Sequence, residues 1–584
     1  MGTISDKLMR IINTKEDIRQ ALISKGYDVP TSIPFKEYAK MILDLPCKVD
    51  SFPDIEGIVA RYSASGLTNE QMAANPVWVD KTGNGHDIQL KNFSWKGMSG
   101  VGGYEMNFNL WRNNVSSIPD ISMSTTTTSV SVSVGNSTYN NNLIYIHISN
   151  WDINKNHWLK VTSTYEDGDL AFIFYNDSNT KKIGLPANGY VNILAYPEFK
   201  GSYMYISTIS NKQGSFTIEQ LPLYPGALVF DGVDDYGVCE NFPILTKEKG
   251  YTVVVLRQWD QDFLNTTLTG GLLSTRNYST GEGVAFEKIE SPNKGYWNLG
   301  AGGIIDFAKS PFTWQTPKQY NNVGILKGDK NHGKPLCVGC GLSGGQQCGR
   351  FAIWELVFLD HDATEEELTK IKDYFVKTYP WLFPDKAWTV TGKTNEDEDR
   401  ATIANITGNG NDLVLSNFGF AEGSGYNEEG EYAGYLVTDG VDDKIISSIF
   451  KMGNDWTVIG DWELINTGKN DNAGIVKFDS IVIYNYNYNY NSMLINIKNG
   501  RNILIPDQNT VNAICSDGRI YSKDWKESIY NEETESTSKN FLTIGYSGNA
   551  YTKIAFKNLA IYPTVLSRED CIKAYNYLQT LKAK

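Results

Sequence analysis

Apolar and polar positions change period near residue 50. Before it, apolar residues recur every three or four positions. Leu8, Ile11 and Ile12 follow Ser5, a plausible N-cap; Ile18, Leu22 and Ile23 follow Thr14, with Glu16 and Asp17 in the first turn. Caps, early acidic residues and one apolar stripe predict short amphipathic helices. Gly26 is placed as a stop, and Pro34 as the opening of a third helix carrying Phe35, Tyr38, Met41 and Ile42. One stripe per helix is a small core. Residues 1–48 are therefore expected to form a helical segment that needs a partner, either another protein or copies of itself. A small capping subdomain is the alternative.

From Asp54 onward the apolar residues come in short runs or alternate. Gly57–Tyr62, Ala227–Phe230, Tyr251–Leu256 and Trp456–Gly460 read as strands, separated by turns rich in Gly, Asn and Asp. In the stretch around Val130, Val132 and Val134, serines occupy the intervening positions, a period of two. Many short strands with a turn every ~8–12 residues indicate a β-sandwich class. Two helices are expected late in the chain. Thr364 caps a helix whose apolar face is Leu368, Ile371, Tyr374 and Phe375. Ser567 caps another with Cys571, Ala574, Tyr577 and Leu578 inward.

The chain also repeats itself. Thr82-Gly83-Asn84-Gly85-His86-Asp87 recurs 325 residues later as Thr407-Gly408-Asn409-Gly410-Asn411-Asp412. Asp231-Gly232-Val233-Asp234-Asp235 recurs 208 residues later as Asp439-Gly440-Val441-Asp442-Asp443. Leu356-Val357-Phe358-Leu359 recurs 203 residues later around Leu559-Ala560-Ile561-Tyr562. Three landmarks in one order describe a duplicated unit. The first offset exceeds the second by 117 residues, so copy one holds an insertion of roughly one small domain between Trp95 and Gly226. The expected organisation is a helical segment at 1–48, a discontinuous sandwich over 52–380, an inserted all-β module at 104–222, and a second sandwich over 384–584.

Composition narrows the classes. Aromatic residues make up 12% of the chain, which favours strands over helical bundles. A formal net charge of −14 argues against nucleic acid as the main partner and against a polybasic membrane contact. No apolar run approaches the ~18 residues of a membrane span, so no membrane insertion is expected. The first residues lack the basic stretch and apolar core of a secretory signal. Of seven cysteines, Cys337, Cys340 and Cys348 are clustered. Cys337-Val338-Gly339-Cys340 aligns with strand-like Leu542-Thr543-Ile544-Gly545. Residues three apart on one strand face opposite ways, so structural thiols are expected there rather than a metal site.

The order of a Thr-Gly-Asn-Gly turn followed by His or Asn and a closing Asp, a DGVDD turn after an apolar strand, and a terminal strand with a capped helix resembles concanavalin A-like (laminin-G-like) jelly-roll domains. The resemblance covers roughly 52–380 without the insertion, and 384–584; Phe230 precedes the first DGVDD turn, whereas Thr438 stands at that place in the second. The leading stretch, Ile4-Ser5-Asp6-Lys7-Leu8 through Asn13-Thr14-Lys15 to Pro34-Phe35-Lys36-Glu37-Tyr38, resembles virion-attachment segments of fibre and appendage proteins in phages of gut bacteria, crAss-like phages included.

Candidate chemistry is of two kinds. Tyr484, Tyr486, Tyr488 and Tyr490 alternate with Asn485, Asn487, Asn489 and Asn491, so a strand here would carry tyrosines on one face and asparagines on the other. Tyrosine rings stack on sugars and asparagines bond hydroxyls, which makes Tyr484, Tyr486, Tyr488, Tyr490, Asn485 and Asn487 a candidate glycan face. The alternative is one face packed and one solvated. Asp231, Asp234 and Asp235, with Asp439, Asp442 and Asp443, could offer oxygens to calcium, which laminin-G-like domains often bind. The favoured alternative is a turn held by aspartate side chains. Enzyme signatures are lacking: five scattered histidines, with His86 replaced by Asn411 in the other copy, no nucleophile elbow, no phosphate loop, and no paired-carboxylate strand of the glycosidase kind. The resemblance implies a non-enzymatic phage appendage on the virion surface. It would be a homo-oligomer anchored to other virion proteins through 1–48, and it would bind host-surface polysaccharide. The alternatives are a structural virion decoration or collar without ligand, a bacterial surface lectin, and a glycanase.

Overall fold

A computed structural model describes residues 52–104, 221–276, 283–297, 346–408, 410–429, 432–465 and 550–583 continuously. Between these it describes the strands named below with adjoining turns. The expected helices of 1–48 lie outside the described residues. The chain divides into two compact units, Met1–Asp54 with Thr369–Tyr374, and Ile55–Leu368 with Phe375–Lys584. The second holds nearly everything described.

The fold is mainly antiparallel β, in sheets that pair into sandwiches. In the first, Arg350–Leu359 is the hub strand. Thr252–Trp259 lies on one side of it, and Ile58–Ser63 and Leu228–Asp231 pair on the other. The facing sheet runs Val77–Trp78, Ile88–Lys91, Tyr236–Cys239, Leu336–Val338, Gly270–Ser274, Ala285–Lys288, Lys294–Trp297 and Ile304–Asp306. Trp78, Phe230, Trp259, Phe286, Phe351 and Phe358 fill the space between. Hub strand Arg350–Leu359 is buried at every position after its first, as a strand covered on both faces must be.

The second sandwich repeats this plan. Ile554–Tyr562 is its hub, between Thr457–Leu464 and the pair Lys386–Thr389 and Tyr435–Val437. Even the irregularity recurs: the hub's partner is bulged between Leu256 and Arg257 in copy one, and between Asp461 and Trp462 in copy two. Thr252 Oγ donates to the His361 carbonyl and accepts from Ala363 N; Thr457 Oγ does the same with Thr564 and Leu566. Both late helices form with the expected caps, Glu365–Thr378 behind a full Thr364/Glu367 capping box and Arg568–Gln579 behind Ser567.

Residues 112–220 form two further five-stranded antiparallel sheets. One is Thr180–Leu185, Leu170–Tyr175, Tyr203–Thr208, Asn142–His147 and Arg112–Asn113. The other is Asn188–Ile193, His157–Ser163, Gly214–Gln220, Ser129–Val134 and Ile121–Thr125. They enclose their own core of Val130, Val132, Val161, Phe172, Phe174, Ile206 and Ile218. The Val/Ser alternation is real: Val130, Val132 and Val134 are buried, and the serines between them are not.

Buried thiols stand where expected, but the strand argument for them needs correcting. Cys337 and Cys340 do not sit on one continuous strand. Gly339 lies between Leu336–Val338 and Cys340–Leu342 at φ +91°, which breaks the alternation, and Cys337, Cys340 and Cys348 pack into one buried cluster. None of the three is in a disulfide. No helix among the described residues is long and apolar enough to cross a membrane.

Candidate functional site

The acidic turns are built alike. After Leu228–Asp231 the chain reverses at Gly232, φ +76°, and after Tyr435–Val437 it reverses at Gly440, φ +75°. Asp231 Oδ1 accepts from the backbone N–H of Val233 and Asp234; Asp439 Oδ1 accepts from Val441, Asp442 and Asp443. Asp235 Oδ2 accepts from Asp231 N and Asp443 Oδ2 from Asp439 N. Asp235 Oδ1 also accepts from the Ser99 hydroxyl at 2.9 Å. Within each triad one carboxylate oxygen per residue lies within 4.8 Å of the others. The bonds they make are those of a structural turn.

Burial, with the nearby Asp231 charge second, pushes the Asp235 carboxyl up to about 7; burial likewise pushes Asp443 up to about 6. A carboxyl raised in the folded state binds its proton more tightly there than in the unfolded chain. Its stabilising contribution is whole below the ordinary aspartate value and disappears as pH rises through about 6 to 7. The turns therefore favour the folded state more at pH 5 than at pH 8. Asp235→Asn should flatten that part of the melting-temperature profile, and an unchanged slope in the variant would rule the assignment out.

What the turns grip is more informative. In copy one the Asn92 side-chain amide donates to the Asp234 carbonyl, and Ser99 accepts from Ser94 N. In copy two Asn417 donates to Asp442 O, and Ser424 accepts from Gly419 N. The segments Phe93–Gly100 and Phe418–Gly425 are thus the same loop at the 325-residue offset. Each is clamped from the other side by an asparagine whose amide bonds both backbone groups of one residue: Asn69 with Val101, and Asn395 with Tyr426. Each loop holds an aromatic residue in the left-handed region, Trp95 at φ +55° and Phe420 at φ +50°. Bulky residues rarely adopt that conformation, and such strain persists only where surroundings impose it.

In copy one the strained residue is half-buried at the rim of a cleft. Trp95 stacks on Phe93 at 4.8 Å with 17° between planes. Phe93 meets Phe230 edge-on at 5.1 Å, Phe230 lies 4.8 Å from Phe351, and Phe351 lies 5.1 Å from Trp259. A ladder of rings thus runs from the core out to Trp95. Beside Trp95 opens a cleft of ≈ 510 Å³, within the range of small-ligand sites. Glu70 and Ala73 of the Asn69–Ala74 helix line it, with Lys96, Tyr104 and, from the inserted strands, Thr127. Burial raises the Tyr104 phenol above its usual range, and the Glu70 and Glu219 carboxylates add to this, so its hydroxyl stays neutral and able to donate. Aromatic faces beside hydroxyl, amine and carboxylate groups can stack on and hydrogen-bond a polar ring.

The tyrosine strand is supported only in part. Ile481–Tyr486 is a strand paired with Ser492–Ile497, which places Tyr484, Asn485 and Tyr486 on regular β backbone. Asn487, Tyr488 and Tyr490 lie outside the described residues. Sequence reading passed over Trp95, Tyr104 and Glu70. The signal was present, as Phe-x-aromatic followed by Ser-Gly recurs in both copies.

No protein-family model and no curated protein matches the chain. Among solved structures it is similar to the botulinum neurotoxin serotype D binding domain, at 12% identity over 60% of this chain and 89% of that one, with a TM-score of 0.23. A serotype D ligand binding domain in complex with N-acetylneuraminic acid matches at 10% identity, over 58% and 87% of the two chains, TM-score 0.23. Trypanosoma rangeli sialidase in complex with sialic acid matches at 9% identity, over 80% and 85%, TM-score 0.24. At scores of this size the neighbours decide neither fold nor ligand.

Proposed function

We propose that this chain is a non-enzymatic, glycan-binding appendage protein of a phage virion, attached through residues 1–48 as a homo-oligomer. Its sandwiches would present sites to host-surface polysaccharide. The observation that carries the binding part is the cleft beside Trp95, where a strained, core-supported aromatic side chain is held at the surface among polar groups. The virion part rests on the resemblance of the leading segment to phage attachment pieces. Several weak sugar sites on one particle act together, so modest affinity per chain suffices for adsorption.

The test is saturable binding of the purified full chain to intact gut bacteria and to their extracted capsular polysaccharide, with Tyr486→Ala/Tyr488→Ala alongside. Binding by the wild type, retained in the tyrosine variant, is the expected result. Loss in that variant moves the site to the tyrosine strand. A folded protein that binds no host and no polysaccharide overturns the reading in favour of a ligand-free structural component.

A further inference from the structure

The two copies carry one loop in two states, and the difference lies in what covers the aromatic side chain. In copy two the Arg400 guanidinium sits 5.1 Å over the Phe420 ring, and Tyr426 stacks near Phe420 at 6.4 Å and 24°. Aligned at the matched strands Val77–Trp78 and Thr402–Ile403, the residue of copy one that corresponds to Arg400 is Asn75. Ala73, two residues before it, lines the cleft. An asparagine has neither the charge nor the reach of the arginine that covers the ring in copy two. An arginine over a ring supplies the cation–π and stacking contact that a ligand would otherwise make.

Resting on the glycan reading above, we infer that the Trp95 cleft takes a neutral hexopyranose stacked on the indole, and that the matching site of copy two is self-capped by Arg400. The chain would then bind one sugar epitope, through copy one. Neutrality follows from the charges at the cleft. Lys96 and Glu70 both line it and offset each other, and the Glu70 and Glu219 carboxylates act on the Tyr104 hydroxyl. Among the described lining residues nothing supplies the surplus positive charge that a uronate or sialate needs, and the chain as a whole carries −14. The C–H face of a pyranose suits the indole, while Tyr104, Thr127, Glu70 and Lys96 offer partners for its hydroxyls.

The experiment is calorimetric titration of the full chain with a neutral polysaccharide (mannan or dextran), an acidic one (alginate), and the methyl hexopyranosides, repeated on Trp95→Ala and Trp95→Phe. The expected result is binding of a neutral glycan at one site per chain, weakened about tenfold or more by alanine and largely restored by phenylalanine. Matching melting curves show that the variants are folded. Preference for alginate overturns the neutral class, and two sites per chain overturn the self-capping. Capsular polysaccharide binding that survives in a folded Trp95→Ala protein overturns this site while leaving the glycan reading standing. Absence of any polysaccharide binding overturns both.

Discussion

Alanine at Glu355 lowers the unfolding free energy by about 3–5 kcal/mol, because it removes the buried carboxylate that the Arg61 guanidinium pairs with. Glu355 is fully buried on the hub strand, and Arg61 on the neighbouring strand is nearly so. Arg61 Nε donates to Glu355 Oε2 at 3.2 Å, Nη2 to Oε1 at 3.5 Å, and the Tyr379 hydroxyl donates to Oε1 at 2.8 Å. Removing the carboxylate takes away all three of these bonds together with the negative charge. Copy two shows that the sandwich does not require the pair. The corresponding positions hold Ala387 and Asn558, and the buried Asn558 amide has no hydrogen-bond partner there. Arg61→Met/Glu355→Leu should therefore recover most of what Glu355→Ala loses. Denaturant unfolding of the three variants checks this, and a double variant no better than the single would show that the pair holds the fold together rather than merely fitting it.

The parts of the molecule legible in the sequence were those where local chemistry forces a residue type. Gly232 and Gly440 sit at positive φ in turns that other residues would strain, so the acidic repeat marked the same corner twice. Thr364 and Ser567 announced their helices because a helix start leaves N–H groups that a hydroxyl can accept. Val130, Val132 and Val134 announced their strand by period alone. The cleft's loop recurs in both copies, but its residue types do not force the conformation it adopts. Tryptophan is not a turn former, so Trp95 in a left-handed conformation is imposed by Asn69, Ser99 and the acidic turn rather than by its own preference. The walls come from residues near 70, 95–104 and 127, brought together only by the fold. Cys337 and Cys340 misled for the converse reason. The strand rule holds, but Gly339 interrupts the strand.

Phenylalanine 230 joins core and site, and its replacement tests that connection. Phe230→Ala costs about 3–5 kcal/mol, the usual range for emptying a buried aromatic position. The side chain is wholly buried, packed against Phe351 and Phe93, and so close to Gly339 that a Cβ there would lie 2.4 Å from its ring. A backbone pressed against the ring cannot easily collapse into the space left behind, which places the cost toward the upper part of that range. Copy two has Thr438 at this position, with its hydroxyl donating to Thr552 O and accepting from Ile554 N, so the second sandwich fills the same place by hydrogen bonding. Phe93 loses its inner neighbour in the variant, and Trp95 stacks on Phe93. Sugar affinity should therefore fall together with stability in Phe230→Ala. In Glu355→Ala, by contrast, affinity measured well below the melting temperature should stay near wild type, since Glu355 is not one of the rings of the ladder. Equal loss of affinity in both would mean that binding follows global stability, and that the ladder does not hold the indole in place.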